Sequence, residues 1–301
     1  AVQADAGLTM GAVTLEFGQK AQLRTLRTRF ETEHEGMESS GLFRHSERVL
    51  AGYASAHRAF GVVQLQAGLR VEAERTRIIM DVEEEHAAVR MFPSLLLQWQ
   101  HPGSDRVRYR VSWGRRLQRP TAAELNPFSM GEDDMNSFVG NPLLRPEQSD
   151  QLELGVEFIA PRTTAQVTPF LRITNDPIRP IKAVSQSGQA TTSLQNLART
   201  RAAGSDISTR TALGDRFTLT LAASLFHMVT EGLDYRNDGV YATARANLDA
   251  QVAPRTLVQL YLYRRGTQAI EQGEILPVTT TEMALTHRLG SRDQGRLTLR
   301  L

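Results

Sequence analysis

The side chains that could do chemistry are carboxylates and histidines gathered in a few polar stretches. The run from Glu83 to His86, with Asp81 just before it, offers the oxygen and nitrogen ligands that divalent cations prefer. The run from Glu132 to Asp134 offers a similar set of carboxylates. Because a charge run in a polar stretch is usually just solvated, we predict no metal site at either place.

The histidines and potential nucleophiles show no catalytic arrangement. His227 and His287 lie on or near predicted strands without a partner at metal-ligand spacing, and His34 and His45 flank a polar stretch. The sequence contains no Cys, and it has no G-x-S-x-G, P-loop or H-E-x-x-H motif. We therefore expect no catalytic residues, no cofactor and no enzymatic activity.

The overall composition bounds the class of protein. The 301 residues carry a net charge of +2, which is too small to indicate a nucleic-acid partner. No stretch approaches the roughly 18 consecutive apolar residues of a membrane-spanning helix. The first residues lack the basic and apolar regions of a signal peptide, so any export signal is expected upstream of Ala1.

A period of two is the strongest pattern in the chain. Between residues 63 and 73 every second residue is apolar, and the residues between them are polar or Gly. Because successive side chains of a strand point to opposite faces, this pattern predicts strands with one apolar and one polar face. The pattern recurs at 106–114, 151–158, 217–225 and 240–250, and more weakly at 13–17, 95–99, 258–262 and 297–301.

The connections between these strands alternate in length. Tight turns at one end and long loops at the other are typical of bacterial outer-membrane barrels. We therefore predict an all-β, antiparallel, up-and-down transmembrane β-barrel with about thirteen strands, each of roughly 9 to 14 residues. A loop helix is possible at 81–90. The predicted short turns are 58–61, 102–105, 160–163, 214–216, 253–255 and 290–295, and the predicted long loops are 31–47, 76–90, 118–149, 175–198, 230–239 and 266–277.

A soluble β-sandwich would also alternate in this way, and it is the main alternative fold. The residues Trp99, Trp113, Tyr261 and Tyr263 lie near predicted strand ends, as the aromatic girdle of a membrane barrel would. The polar strand positions would then face the lumen, where mixed charges suit contacts to a plug or the selectivity of an open pore. The predicted lumen-facing residues are Arg70, Glu72, Arg106, Arg108, Arg110, Glu153, Glu157, Arg245 and Asp249.

The segment from 106 to 158 carries a more specific pattern. An Arg-Pro pair is followed by Leu-Asn-Pro-Phe, then by Gly-Asn-Pro and Pro-Glu, and finally by a strand with Glu-Leu-Gly. In this order the submotifs resemble the barrel of TonB-dependent outer-membrane receptors, in the outer-membrane β-barrel family. Because Asn-Pro pairs initiate turns, we expect these residues to shape a loop and the barrel rim rather than to contact ligand. The matching positions are Arg119, Pro120, Leu125, Asn126, Pro127, Phe128, Gly140, Asn141, Pro142, Leu144, Pro146, Glu147 and 153–155, with supporting matches at 67–72, 92–95 and 176–178.

This resemblance implies active uptake of a nutrient, such as a siderophore, vitamin, saccharide or peptide, across the bacterial outer membrane. The partners that it implies are outer-membrane lipid, a plug domain and the TonB complex. The family's barrel has about 22 strands around a plug, and neither a plug nor a TonB box is visible here. We therefore expect residues 1–301 to be a partial barrel from the C-terminal part of a longer receptor. A passive porin and a surface-anchored binding barrel are the alternatives.

Overall fold

The computed structural model describes residues 1–34, 37–80, 83–128, 130–131, 135–232, 236–289 and 295–300, without side-chain detail at 30–34, 37–40 and 130–131. The described chain is almost entirely β-strand. Its elements are β1 (Val2–Met10), β2 (Val13–His34), β3 (Met37–Phe60), β4 (Val63–Ile79), β5 (Glu83–Gln100), β6 (Val107–Gln118), α1 (Ala122–Leu125), β7 (Met130–Gly131), β8 (Asn136–Val139), β9 (Glu147–Ala160), β10 (Thr163–Asn175), β11 (Ile178–Val184), β12 (Ala190–Asn196), β13 (Arg199–Leu213), β14 (Phe217–Glu231), β15 (Arg236–Ala253), β16 (Thr256–Arg265), β17 (Gln268–Ile270), β18 (Gly273–Ile275), β19 (Val278–Leu289) and β20 (Gly295–Arg300).

Fourteen of these strands form one antiparallel meander in the order β1-β2-β3-β4-β5-β6-β9-β10-β13-β14-β15-β16-β19-β20. The predicted all-β, up-and-down architecture is confirmed. The sheet is not closed in the described chain, because β1 and β20 each pair on one side only. The sheet has one strand more than the thirteen or so that were predicted, because β1 lies where no strand was predicted.

Register gives this sheet one apolar face and one polar face. Directly paired residues share a face, and one row of pairs runs from Leu8 through Leu15, Ala56, Ala67 and Leu95 to Trp113. The same face carries large apolar side chains that are exposed to the surroundings. Such a surface is unfavourable in water, and it indicates a sheet with its apolar face in lipid. Examples of these exposed side chains are Leu23, Leu50, Leu69, Met91, Leu154, Val167, Ile207, Leu225 and Leu262.

The height of the apolar face matches a membrane. On β4 the apolar positions run from Val63 to Ala73, which span about 33 Å along the strand at roughly 3.3 Å per residue. A strand tilted by about 40° covers roughly 25 Å of membrane normal over that distance, the height of the apolar band of outer-membrane barrels.

The two ends of the sheet differ as predicted, with one revision. Two-residue turns join β1 to β2, β3 to β4 and β9 to β10 at the short-turn end. At the opposite, long-loop end, two of the predicted loops, 31–47 and 76–90, instead belong largely to β2, β3, β4 and β5, which continue past the apolar band. The loop helix was wrong as well, because Glu83 and Glu85 pair across the sheet with Ile79 and Arg77; residues 81–82 lie outside the described chain.

A second layer covers the polar face at the long-loop end. It contains α1 and a four-stranded sheet in the order β11-β12-β8-β7, in which β12 and β8 run parallel. No helix in the described part of the chain is long and apolar enough to cross a membrane. The buried core lies between this layer and the large sheet, and it consists of Phe43, Ile78, Leu125, Leu144, Ile178 and Leu194.

The two faces of the sheet change the prediction for two of the four aromatic residues that were expected to form a girdle. Trp99 lies on the apolar face at the short-turn end and stacks on Tyr109 with ring centroids 5.2 Å apart, as a girdle residue would. Trp113 shares this face, but Tyr261 and Tyr263 lie on the polar face beside Asn247 and Arg245, so they are not girdle residues. They were misassigned because distance from a strand end does not reveal which face a side chain takes.

Candidate functional site

The loop motif is anchored on the polar face by Arg119. Its guanidinium lies 3.0 Å from Glu47 Oε1, and it donates hydrogen bonds to Glu72 Oε2 at 2.6 Å and Glu74 Oε2 at 3.0 Å. Two further arginines complete the cluster, since Arg70 binds Glu72 and Arg90 binds Glu74. Alternation on β3 and β4 places all three carboxylates on the same face.

The electrostatic role of Arg119 follows from its surroundings. Partial burial opposes its charge, but the hydrogen bond to Glu72 and the charges of Glu74 and Glu47 outweigh burial and raise the pKa of the guanidinium above its ordinary value. Arg119 therefore stays charged and holds three carboxylates that would otherwise repel one another. The arrangement is a clamp between loop and barrel wall.

The residues after Arg119 build a compact turn. β6 ends at Gln118, two residues before the buried Pro120, whose carbonyl accepts a hydrogen bond from Arg24 at 3.2 Å. Thr121 and Glu124 then cap α1 reciprocally in a capping box. Leu125 enters the core at 3% exposure.

The two Asn-Pro pairs and Gly140 stabilise this turn. Asn126 Oδ1 accepts from the backbone of Phe128 beyond Pro127, and Asn141 Oδ1 accepts from the backbone of Leu143 beyond Pro142. A Cβ at Gly140 would lie 2.5 to 2.7 Å from the carbonyl oxygens of residues 123, 124 and 126. Only glycine therefore allows this close approach.

The end of the motif is tied to the segment that follows β10. Glu147 Oε1 accepts from the backbone of Ile178 at 2.6 Å. Asp176, at φ 54°, adopts the left-handed conformation that Asp tolerates, and it pairs with Arg145 at 2.6 Å. Asn196 bonds the backbone of Arg145 and of Asp176. The structure thus places the motif residues in loop-shaping contacts, and Pro146 lies among the residues that line a cavity described below.

Register places most of the residues proposed to face the lumen on the polar face. Arg108 lies opposite Glu157, and Glu153 accepts from Ser112 at 3.2 Å. Asp249 accepts from Gln259 at 2.9 Å on the same face. Arg106 is different, because it lies in the turn before β6 rather than in a strand. The other residues of this set on the polar face are Arg70, Glu72, Arg110 and Arg245.

A cavity of about 470 Å³ lies between the loop layer and the polar face. Its barrel wall carries charged and polar groups such as Glu84, His86 and Arg90, and its loop wall is formed by residues 142–146. His86 Nε2 lies 3.6 Å from Glu84 Oε2. The mixture of charged and apolar walls could hold a small polar ligand.

The acidic runs do not form a cation site in the part of the chain that the structure describes. Because side chains alternate between the two faces along β5, Glu83 and Glu85 lie on the apolar face. Glu84 and His86 lie on the polar face. Among the described residues no group of three or more His, Asp or Glu side chains could hold a metal. Residues 132–134 and Asp81 lie outside the described residues, and the side chain of His34 is not described.

The structure also shows where three other histidines from the sequence analysis lie. His227 lies on the apolar face near the long-loop end, 3.4 Å from Asp238. His287 lies on the same face near the short-turn end and contacts Thr256 at 2.9 Å. His45 is buried and lines the cavity.

The sequence did not reveal an aromatic row on the polar face. Phe226 stacks on Tyr241 at 5.2 Å and contacts Phe170 at 6.0 Å, and it fills the space above Gly204. Tyr241 donates to the carbonyl of Ala269, which ties the β17–β18 hairpin to the barrel wall. Aromatic residues at polar-face positions beside a glycine are a signal that could have predicted this row.

The fold and the two-faced sheet define a transmembrane β-barrel wall with an ordered loop layer. Residues 1–301 match the model of the "Outer membrane protein beta-barrel family", and the chain belongs to that family. The family resemblance of the loop motif is confirmed, and the protein resides in the bacterial outer membrane. A comparison with curated protein sequences gives no match.

Solved structures share the fold at low sequence identity. "Copper transporter OprC" has a TM-score of 0.71 at 12% identity, covering 96% of this chain and 48% of that one. The ferric yersiniabactin uptake receptor FyuA from Yersinia pestis has a TM-score of 0.68 at 15% identity, covering 96% and 46%. The unliganded ferric citrate transporter FecA has a TM-score of 0.68 at 13% identity, also covering 96% and 46%. The chain thus spans about half the length of these structures.

Proposed function

We propose that this barrel wall works in a receptor that imports a scarce nutrient across the outer membrane, driven through TonB. The observation that carries the proposal is the loop layer, which is clamped onto the polar face by Arg119 and forms one wall of the open cavity of about 470 Å³. An ordered layer over the lumen suits capture of a ligand better than free diffusion. The family resemblance supports this class of function, and so does the fold that the chain shares with a copper transporter, a ferric yersiniabactin uptake receptor and a ferric citrate transporter.

The cavity is the proposed capture site. Glu84, His86 and Arg90 present both signs of charge from the barrel wall, while residues 142–146 supply the opposite wall. Such a site suits a compact ligand with several polar groups, which includes siderophores, vitamins, saccharides and peptides.

The polar face at the short-turn end is the proposed contact surface for a plug. A cavity of about 440 Å³ there is lined by glutamines and by Arg108, Arg110 and Glu157. These groups can exchange hydrogen bonds and ion pairs with a polar domain in the lumen. Because lipid requires every backbone group to be paired, we further propose that additional strands pair with β1 and β20 and close the barrel.

An uptake assay in cells tests the proposal. Cells that carry the protein are given radiolabelled ferric siderophores, radiolabelled cobalamin or fluorescent maltodextrins, with and without a protonophore. We expect one probe to accumulate only in energised cells. Accumulation that persists after the protonophore would instead identify a passive porin, and surface binding without accumulation would identify an anchored binding barrel.

Substitutions of residues that line the cavity test whether the imported probe binds there. Replacing Glu84→Gln together with His86→Ala removes charged hydrogen-bonding groups, so binding of the imported probe should weaken roughly 10-fold or more. His57→Ala is the matched control, because His57 lies on the same face near the short-turn end. Equal binding by both variants would place the capture site elsewhere.

A further inference from the structure

Five arginines form a cluster on the apolar face, away from the loop layer and the cavity. Register places Arg27 opposite Arg44 on β2 and β3, and Arg48 opposite Arg75 on β3 and β4. Arg77 lies one position further along the same face of β4, opposite Ser46. Together these residues line a shallow groove of about 590 Å³.

The cluster begins where the apolar band ends. Leu50 and Ala73 are directly paired and form the last apolar row, and Arg48 and Arg75 form the next row on that face. Two residues of strand separate the rows, a distance of about 7 Å. The cluster is on the side of the long loops, which face the outside of the cell. Its guanidinium groups therefore lie at the height of the outer-leaflet headgroups.

The described side chains balance the charges of the cluster only in part. Arg77 binds Glu83 at 2.6 and 2.8 Å, and Arg75 pairs with Glu85. Among side chains that the structure describes, Arg27, Arg44 and Arg48 have no ion pair. Counting only the side chains that the structure describes, five guanidinium groups face two carboxylates, an excess of three positive charges.

Opposed like charges are unfavourable in a sheet, and two such pairs occur here. Arg27 faces Arg44, and Arg48 faces Arg75, on neighbouring strands where directly opposite side chains lie about 5 Å apart. An anion between them would convert this repulsion into attraction. Arginine suits phosphate in particular, because its planar fork can bind two phosphate oxygens at once.

We propose that this cluster binds the phosphate groups of a phosphorylated glycolipid in the outer leaflet. The headgroup would lie in the groove between β2, β3 and β4. The acyl chains would run down the apolar face beside exposed Leu50 and Val89. A free phosphate would gain the arginine contacts only, whereas the lipid gains the apolar surface as well.

Native mass spectrometry of the protein purified from outer membranes in maltoside detergent tests this site. The probe is bis-phosphorylated, six-chain lipid A, titrated against the protein. Each arginine near a charged lipid surface contributes about fivefold in affinity, so R48Q/R75Q should weaken binding by about 25-fold. R48K/R75K should keep most of the affinity, because the charge remains.

The matched control removes two arginines from the opposite end of the protein. Arg58 lies on the apolar face near the short-turn end, and Arg255 lies in the turn after β15. R58Q/R255Q should bind lipid A like the unchanged protein, and heat-dependent gel mobility verifies that each variant is folded. Equal weakening by both double variants, or none by R48Q/R75Q, would overturn the proposal. Binding of soluble glucosamine phosphate as tightly as lipid A would overturn the lipid assignment and identify a free-phosphate site.

Discussion

Arg119 shows how a family motif can be structural and still bear on function. Its side chain is 22% exposed and reaches three carboxylates on two strands of the barrel wall. The Nε group is close to Glu47 but makes no directed hydrogen bond, so that contact is ionic. The residue therefore fixes the loop layer through charge and shape, and the cavity depends on it.

Removing this charge should loosen the loop layer. In R119Q the carboxylates of Glu47, Glu72 and Glu74 lose their shared cation, which we expect to cost roughly 2–3 kcal/mol after discounting for partial exposure. Amide hydrogen exchange in residues 118–149 should accelerate by about 30- to 160-fold. R116Q is the control, because Arg116 is exposed and close in sequence. Unchanged exchange in R119Q would show that the clamp is dispensable.

At the scale of elements, the loop layer depends on close approach between short segments. Helix α1 has four residues, too few to be stable alone, so its position comes from packing and from backbone contacts. Asn141 donates from its backbone to the carbonyl of Glu124 at 2.7 Å, directly beside Gly140. This contact joins the two halves of the motif.

Adding a single methyl group at Gly140 should push the two halves of the motif apart. G140A introduces a Cβ that would meet three carbonyl oxygens at 2.5 to 2.7 Å, all of them backbone atoms that cannot rotate away. We expect a loss of roughly 1–3 kcal/mol in local stability, visible as faster proteolysis of the 118–149 segment. In G52A the added Cβ has no heavy atom within 4 Å, so this variant should behave like the unchanged protein. Equal proteolysis of the two variants would contradict the packing argument.

At the scale of the whole molecule, the assignment of the two faces makes the strongest prediction. Ala223 and Ser224 are neighbours on β14, and register places Ala223 on the apolar face and Ser224 on the polar face opposite Asp206. An arginine facing lipid near the middle of the membrane costs about 2–4 kcal/mol. An arginine at position 224 would gain an acidic partner instead.

Folding into lipid vesicles, followed by urea titration and gel mobility, measures this difference. A223R should be destabilised by about 2–4 kcal/mol relative to the unchanged protein, and S224R by less than about 1 kcal/mol. The two variants add the same side chain one residue apart, so chain length and charge are matched. Equal stability of A223R and S224R would refute a lipid-facing apolar surface.

Several features of this protein could be predicted from its sequence alone. The alternation at 63–73 and its repeats determined the strands and their two faces, because the strand repeat of two maps residue order directly onto side-chain direction. Turn residues determined the short-turn end, and the motif from Arg119 to Glu147 identified the family.

Other features were decided by tertiary structure. The contact of Arg119 with Glu47, Glu72 and Glu74 joins residues up to 72 positions apart, and strand pairing rather than local sequence brings them together. The extension of β2 to β5 past the membrane band was likewise hidden, because these polar segments look like loops until they pair with each other. The arginine cluster arose in the same way: its five members are scattered over β2, β3 and β4, and only the register of these strands places them on one face at one height.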